Sequence, residues 1–146
     1  MTTSVAFIYL PALATVYSCP LFLVPVSAGY PSPADDYLDG KLDLNAHLIK
    51  HPAATFFVRV TGDSMIEAGI HSGDLLIVDR ALTPVDNSVV IAVVNGELTV
   101  KRLCLRGGHL CLLPSNGQYL PLPIDETTNF EVWGVVTHVI HAVKPQ

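Results

Sequence analysis

From residue 55 onward the chain alternates between short apolar runs and clusters of turn-forming residues. Residues 55–60, 74–79, 88–95, 97–105, 109–114 and 130–143 are rich in Val, Ile, Leu and aromatics, the side chains that fit a pleated, half-buried surface. Between them stand Asp86-Asn87-Ser88, Asn95-Gly96, Arg106-Gly107-Gly108 and Ser115-Asn116-Gly117. Asn95-Gly96 between two apolar runs predicts a type I′ hairpin, because both central positions need positive φ. Residues 43–51 predict one short helix, stopped before Pro52. Six or more short strands with frequent turns predict an all-β fold, a compact barrel or sandwich.

The opening stretch follows another pattern. Residues 1–34 contain no charged side chain, and Pro11, Pro20, Pro25, Pro31 and Pro33 interrupt them, so no helix of useful length runs through. An extended apolar arm is expected, and Phe7, Ile8, Tyr9, Leu21, Phe22 and Leu23 must lie against something. A secretory signal is the competing reading, since Val26-Ser27-Ala28 satisfies the small-residue rule for a cleavage site. The basic leading region is missing, however, and prolines break the apolar run. No uninterrupted stretch approaches the roughly 20 residues of a membrane-spanning helix. The expected organisation is an arm and linker over residues 1–45, then a β-rich domain over residues 46–146.

Charge narrows the range of functions. Eight Lys and Arg against 13 Asp and Glu give a net charge of −5. Nucleic acid is held by clustered cations, so direct binding to it is not expected, and a DNA-related role would run through a protein partner. The three cysteines, Cys19, Cys104 and Cys111, include no Cys-x-x-Cys, which fits a reducing compartment.

Two residues carry candidate chemistry. Lys41 lies in an acidic linker, Lys50 ends the predicted helix and Lys144 is in the tail, but Lys101 sits inside the strand 97–105. Alternation places it on one face with Glu97, Thr99, Leu103 and Leu105. Partial desolvation there lowers an amine's pKa, and a neutral lysine can take a proton from a serine hydroxyl. The alternative is an edge-strand lysine reaching solvent. Ser64 follows a strand in Thr61-Gly62-Asp63-Ser64-Met65. Gly62 permits a sharp turn, and the Ser64 amide, opening a short helix, could donate to an oxyanion. Gly-Asp-Ser is equally good turn chemistry, and serine is a standard N-cap. Neither a Gly-x-Ser-x-Gly elbow nor a Ser-x-x-Lys motif is present.

Metal chemistry is weakly signalled. His138 and His141 are three apart in a predicted strand and point to opposite faces. Cys104, His109 and Cys111 meet across a turn without regular ligand spacing. Asp35, Asp36 and Asp39 read as a solvated linker. No metal or cofactor is expected.

Taken together, the motifs resemble the self-cleaving LexA/UmuD family. Gly62-Asp63-Ser64-Met65, Gly73-Asp74 with Leu75-Leu76-Ile77-Val78-Asp79, Thr99-Val100-Lys101-Arg102-Leu103 and Trp133-Gly134-Val135-Val136-Thr137-His138-Val139-Ile140 occur in the family's order. Upstream, Ala28-Gly29-Tyr30-Pro31-Ser32-Pro33 is similar to the cleavage region, where the cut falls between a small residue and glycine. The resemblance covers roughly residues 20–140. It implies a Ser–Lys dyad peptidase of the LexA/UmuD C-terminal fold type, with Ser64 as nucleophile, Lys101 as general base and Ala28–Gly29 as the scissile bond. Gly62, Met65 and Thr99 are supporting residues.

Without Lys or Arg ahead of that bond, the UmuD-like branch is expected rather than the helix-turn-helix repressors. Such proteins resemble this one in being short. The resemblance implies a cytoplasmic homodimer, an error-prone translesion polymerase as partner, and cleavage promoted by the RecA–single-stranded DNA filament. Two other classes compete: a secreted all-β binding module with a cleaved signal, and a signal-peptidase-like enzyme.

Overall fold

The computed structural model describes residues 3–11, 18–22, 38–117 and 120–144. Ala28 and Gly29 lie outside them. Met1–Pro11 and His51–Gln146 form one compact unit, and Ala12–Lys50 form a second. The stretch 1–45, read from the sequence as one arm, is therefore shared between two units.

In the second unit β2 (Ser18–Phe22) and β3 (Leu38–Asp43) pair antiparallel. α1 (Leu44–Leu48) follows directly, and the Asp43 carboxylate accepts the Asn45 N–H at 3.3 Å. That contact satisfies one of the free amides that every helix start exposes.

The first unit holds β1 (Ser4–Tyr9), β4 (Thr55–Thr61), β5 (Leu75–Asp79), β6 (Val89–Val94), β7 (Glu97–Arg106), β8 (His109–Leu113), β9 (Leu122–Ile124) and β10 (Phe130–Ile140). The order β1-β4-β5-β10-β6-β7 returns to β1 through Ser4 opposite Thr99, closing a six-stranded barrel. β8 and β9 extend the sheet outward from β7. Closure removes the open edges that an antiparallel sheet otherwise presents to solvent.

The core follows from the strand period. In β4 Phe56, Val58 and Val60 point inward, where they meet Met65, Ile70, Leu76, Val78, Ile91 and Val100. On the other face of β6 and β7, Val90, Ala92 and Leu103 pack with Leu112 of β8. The predicted hairpin is present: Asn95 and Gly96 have φ of 50° and 84°, and Val94 faces Glu97. All six strands expected beyond residue 55 form, and the fold is all-β. Among the described residues, no helix is long and apolar enough to cross a membrane.

At Gly134 the backbone of β10 lies against β5 with no room for a side chain. A Cβ there would sit 2.7 Å from Val78 Cγ1 and 3.2 Å from the Asp79 carbonyl oxygen. Gly134→Ala should therefore push β10 off β5 and cost about 1–3 kcal/mol, the range for overpacking. The check is urea unfolding, where the midpoint should fall at unchanged slope. An unaltered midpoint would mean that the two strands part without cost.

Candidate active site

Ser64 lies in the turn that leaves β4. Gly62 takes φ of 99°, a value open to glycine because it has no Cβ, and reverses the chain after Thr61. A single 3-10 turn follows at Ile66–Ala68, and its N-cap is Met65, without a side-chain bond. Ser64 is thus neither the cap nor the first residue of a helix. The expectation that its amide opens one is corrected, because Met65, the next residue, first turns into the core and the chain coils only from Ile66. Met65 is wholly buried there and anchors the turn. The loop before β5 supports the other side: Gly62 N–H donates to Ser72 Oγ at 3.2 Å, and Gly73 N–H to the Val60 carbonyl at 2.8 Å.

Lys101 is not on an edge. β7 is flanked by β6 on one side and by β8 and β1 on the other, with Lys101 opposite Val90. The residue is 9% exposed and Ser64 is 0% exposed. Lys101 Nζ stands 3.5 Å from Ser64 Oγ, the long limit of a hydrogen bond. Burial pulls the Lys101 pKa below the ordinary lysine range, while the Glu97 carboxylate pushes the other way. The solvent-reaching edge lysine is therefore excluded.

A third residue completes the arrangement. Thr3, just before β1, donates its N–H to Ser64 Oγ at 2.8 Å. Its carbonyl accepts from Thr99 Oγ1 at 3.0 Å and from Val100 N–H at 3.4 Å. Thr3 is fully buried, and its Oγ1 has no hydrogen-bond partner among the described residues. The backbone of the first strand thus runs across the serine and is read by Thr99. With one Oγ lone pair taken by Thr3, the hydroxyl hydrogen is free to point at a neutral Lys101 amine. An open cleft of about 330 Å³ adjoins Lys101, lined by Glu97 and Thr99 and by apolar Val94, Leu112 and Leu122. Nothing in the sequence singles out Thr3, whose role depends on strand pairing across the whole chain.

The other candidates separate. Cys104 and Cys111 face each other across β7 and β8, whereas His109 faces Arg106. Burial raises the Cys111 thiol pKa, and Cys104 adds to the effect. His138 bonds Thr137 Oγ1, away from His141. His141 instead meets His71 and Asp74, a group that the sequence reading missed. The His71-x-x-Asp74 spacing was its one local signal.

Comparison with known proteins agrees with this picture. The chain matches the Peptidase S24-like family over residues 20–137. SamA of Salmonella typhimurium is 50% identical over 127 residues, covering 87% of this chain and 88% of its own. MucA of Escherichia coli is 47% identical over 124 residues, 84% of each chain. The LexA repressor of Acidithiobacillus ferrooxidans is 39% identical over 118 residues, covering 79% of this chain and 57% of the repressor. The β-barrel and these matches define a serine peptidase of the self-cleaving class. The chain belongs to the Peptidase S24-like family, as a UmuD-like member acting in SOS mutagenesis.

Proposed function

We propose that this chain cuts its own arm between Ala28 and Gly29, with Ser64 as nucleophile and Lys101 as general base. The observation that carries the reading is the 3.5 Å approach of a buried Lys101 amine to a fully buried Ser64 hydroxyl. Neutral Lys101 takes the hydroxyl proton as Ser64 Oγ attacks the Ala28 carbonyl carbon. In this reading the Ser64 N–H donates to the resulting oxyanion. As the C–N bond breaks, the Lys101 ammonium returns that proton to the departing Gly29 amine. Water, deprotonated by the same lysine, then releases the acyl group.

For this to happen Thr3 has to leave. It holds the Ser64 Oγ and the Thr99 hydroxyl that an incoming substrate strand would use. Displacement of β1 is thus a step that an activating partner can promote, and the RecA–single-stranded DNA filament is the proposed activator. The processed chain, residues 29–146, acts in the cytoplasm as a homodimer and as a subunit of an error-prone translesion polymerase. At net charge −5 it reaches DNA through those partners rather than by its own cations.

The test is incubation of the purified full chain from about pH 7 toward about pH 10, with sequencing of the new N-terminus. Gly29 should be the first residue. Because burial lowers the Lys101 pKa, the rate should rise as pH passes through that lowered value and then level. Glu97→Gln removes the carboxylate that opposes the shift, so its profile should move to lower pH. A flat or falling profile would sink the lysine-base mechanism, and a different new N-terminus would sink the assigned bond.

A further inference from the structure

Away from the dyad, three side chains converge from different parts of the barrel. His71 lies in the loop after the 3-10 turn, Asp74 leads into β5, and His141 follows β10. One ligand atom from each lies within 4.8 Å of the others. His141 Nδ1 is 2.6 Å from Asp74 Oδ1, and His71 Nδ1 is 3.7 Å from Asp74 Oδ2. The two imidazole rings have centroids 4.7 Å apart, tilted by 38°. The Asp74 side chain is 2% exposed, while those of His71 and His141 are 46% and 50% exposed.

We propose that His71, Asp74 and His141 bind a divalent transition-metal cation, for which Zn²⁺ is the best match. Two imidazole nitrogens and one carboxylate oxygen, with water in the fourth position, form a recurrent zinc donor set. Metal–ligand bonds of about 2.0–2.2 Å in a tetrahedral site hold the donor atoms about 3.2–3.6 Å apart. His141 would withdraw slightly from Asp74, and His71 would close slightly toward it. Both imidazoles are half exposed and have room to do so. The carboxylate is already held in place, because its Oδ2 accepts the His71 backbone N–H at 2.8 Å and Asp74 is buried. Such outer contacts orient a ligand before the ion arrives. Imidazole donors favour zinc and its transition-metal neighbours over Mg²⁺ and Ca²⁺.

The local turn in which the His71 backbone N–H and carbonyl both bond Asp74 brings the first imidazole to the carboxylate, and the His141 hydrogen bond brings the second from the end of β10. The bound ion would tie the end of β10 to the loop whose Ser72 Oγ accepts from Gly62. It would thus brace the turn carrying Ser64 without touching the serine.

The test is calorimetric titration of the metal-stripped full chain with Zn²⁺ at neutral pH, with Co²⁺ as the spectroscopic probe. One equivalent should bind, and Co²⁺ should show four-coordinate ligand-field bands without a thiolate charge-transfer band. His71→Gln and His141→Gln should each weaken binding by about tenfold or more, since even outer-shell losses reach that size. Zn²⁺ should raise the unfolding temperature of the parent chain and leave that of the double histidine variant unchanged. A Cys104→Ser, Cys111→Ser chain should bind as the parent does. Absence of binding, unchanged affinity in the double histidine variant, or loss in the cysteine variant would each overturn the site.

Discussion

A Ser64→Ala chain should remain full length, both as pure protein and in cells. The hydroxyl supplies the attacking electron pair, and it is the group that Lys101 Nζ approaches at 3.5 Å. The substitution keeps the shape of the turn, since Met65 and Gly62 rather than Ser64 hold it. Its structural cost is the Thr3 N–H, which loses its 2.8 Å acceptor in a buried site; an unsatisfied buried amide costs about 1–3 kcal/mol. Circular dichroism should therefore show a folded protein with a somewhat lower melting temperature. The same variant separates self-cleavage from export. A signal peptidase would also cut after Ala28, so product mass alone does not distinguish the agents. A Ser64→Ala chain that is trimmed and found outside the cytoplasm would overturn both the nucleophile and the compartment.

Replacing Lys101 should nearly abolish cleavage while leaving the fold intact. A positioned general base contributes about 10²–10⁴-fold, and Lys101→Ala should lose a factor in that range, together with the pH dependence. Stability should move in the opposite direction in the Lys101→Met variant, which keeps the bulk of the side chain. Because the folded-state pKa is lowered, the folded chain holds fewer protons than the unfolded chain between that value and the ordinary lysine pKa. The lysine therefore weakens the fold at neutral pH, and the penalty fades as pH rises toward about 10.4. Lys101→Met should melt at or above the parent temperature near neutrality, with the difference shrinking in alkali. Robust cleavage by either folded variant would show that the base lies elsewhere.

The strands beyond residue 55 were legible because each carries its own signal: an apolar run, a period of two, and turn residues at both ends. Asn95-Gly96 even specified its turn geometry, as the positive φ at both positions shows. β1 was legible only as apolar chain in need of a partner. Its residues, Ser-Val-Ala-Phe-Ile-Tyr, show no clean alternation, and four of the six are exposed. It is a strand because β4 and β7 both offer it pairing. The short β2, β3 and β9 were not read from the pattern at all; each contains a proline or a glycine, residues that weaken a strand signal.

The candidate dyad shows the same division. Ser64 and Lys101 were found because local motifs carry them, a glycine turn after one strand and the one lysine of four that sits inside a predicted strand. Whether Lys101 reached solvent was open on the strand pattern, because an alternating strand has the same sequence at an edge or in the middle of a sheet. The order of strands made it central and buried it. Thr3 over the serine, 61 residues away in sequence, and His141 against Asp74, 67 residues away, had no local signature. The strands, the hairpin, the acidic charge and the two residues of the candidate dyad follow from local sequence, since each rests on neighbours in the chain. Only the closed barrel decided which lysine lost its water, which backbone covers the serine and which histidines share a carboxylate, because burial and convergence depend on which strands become neighbours in space.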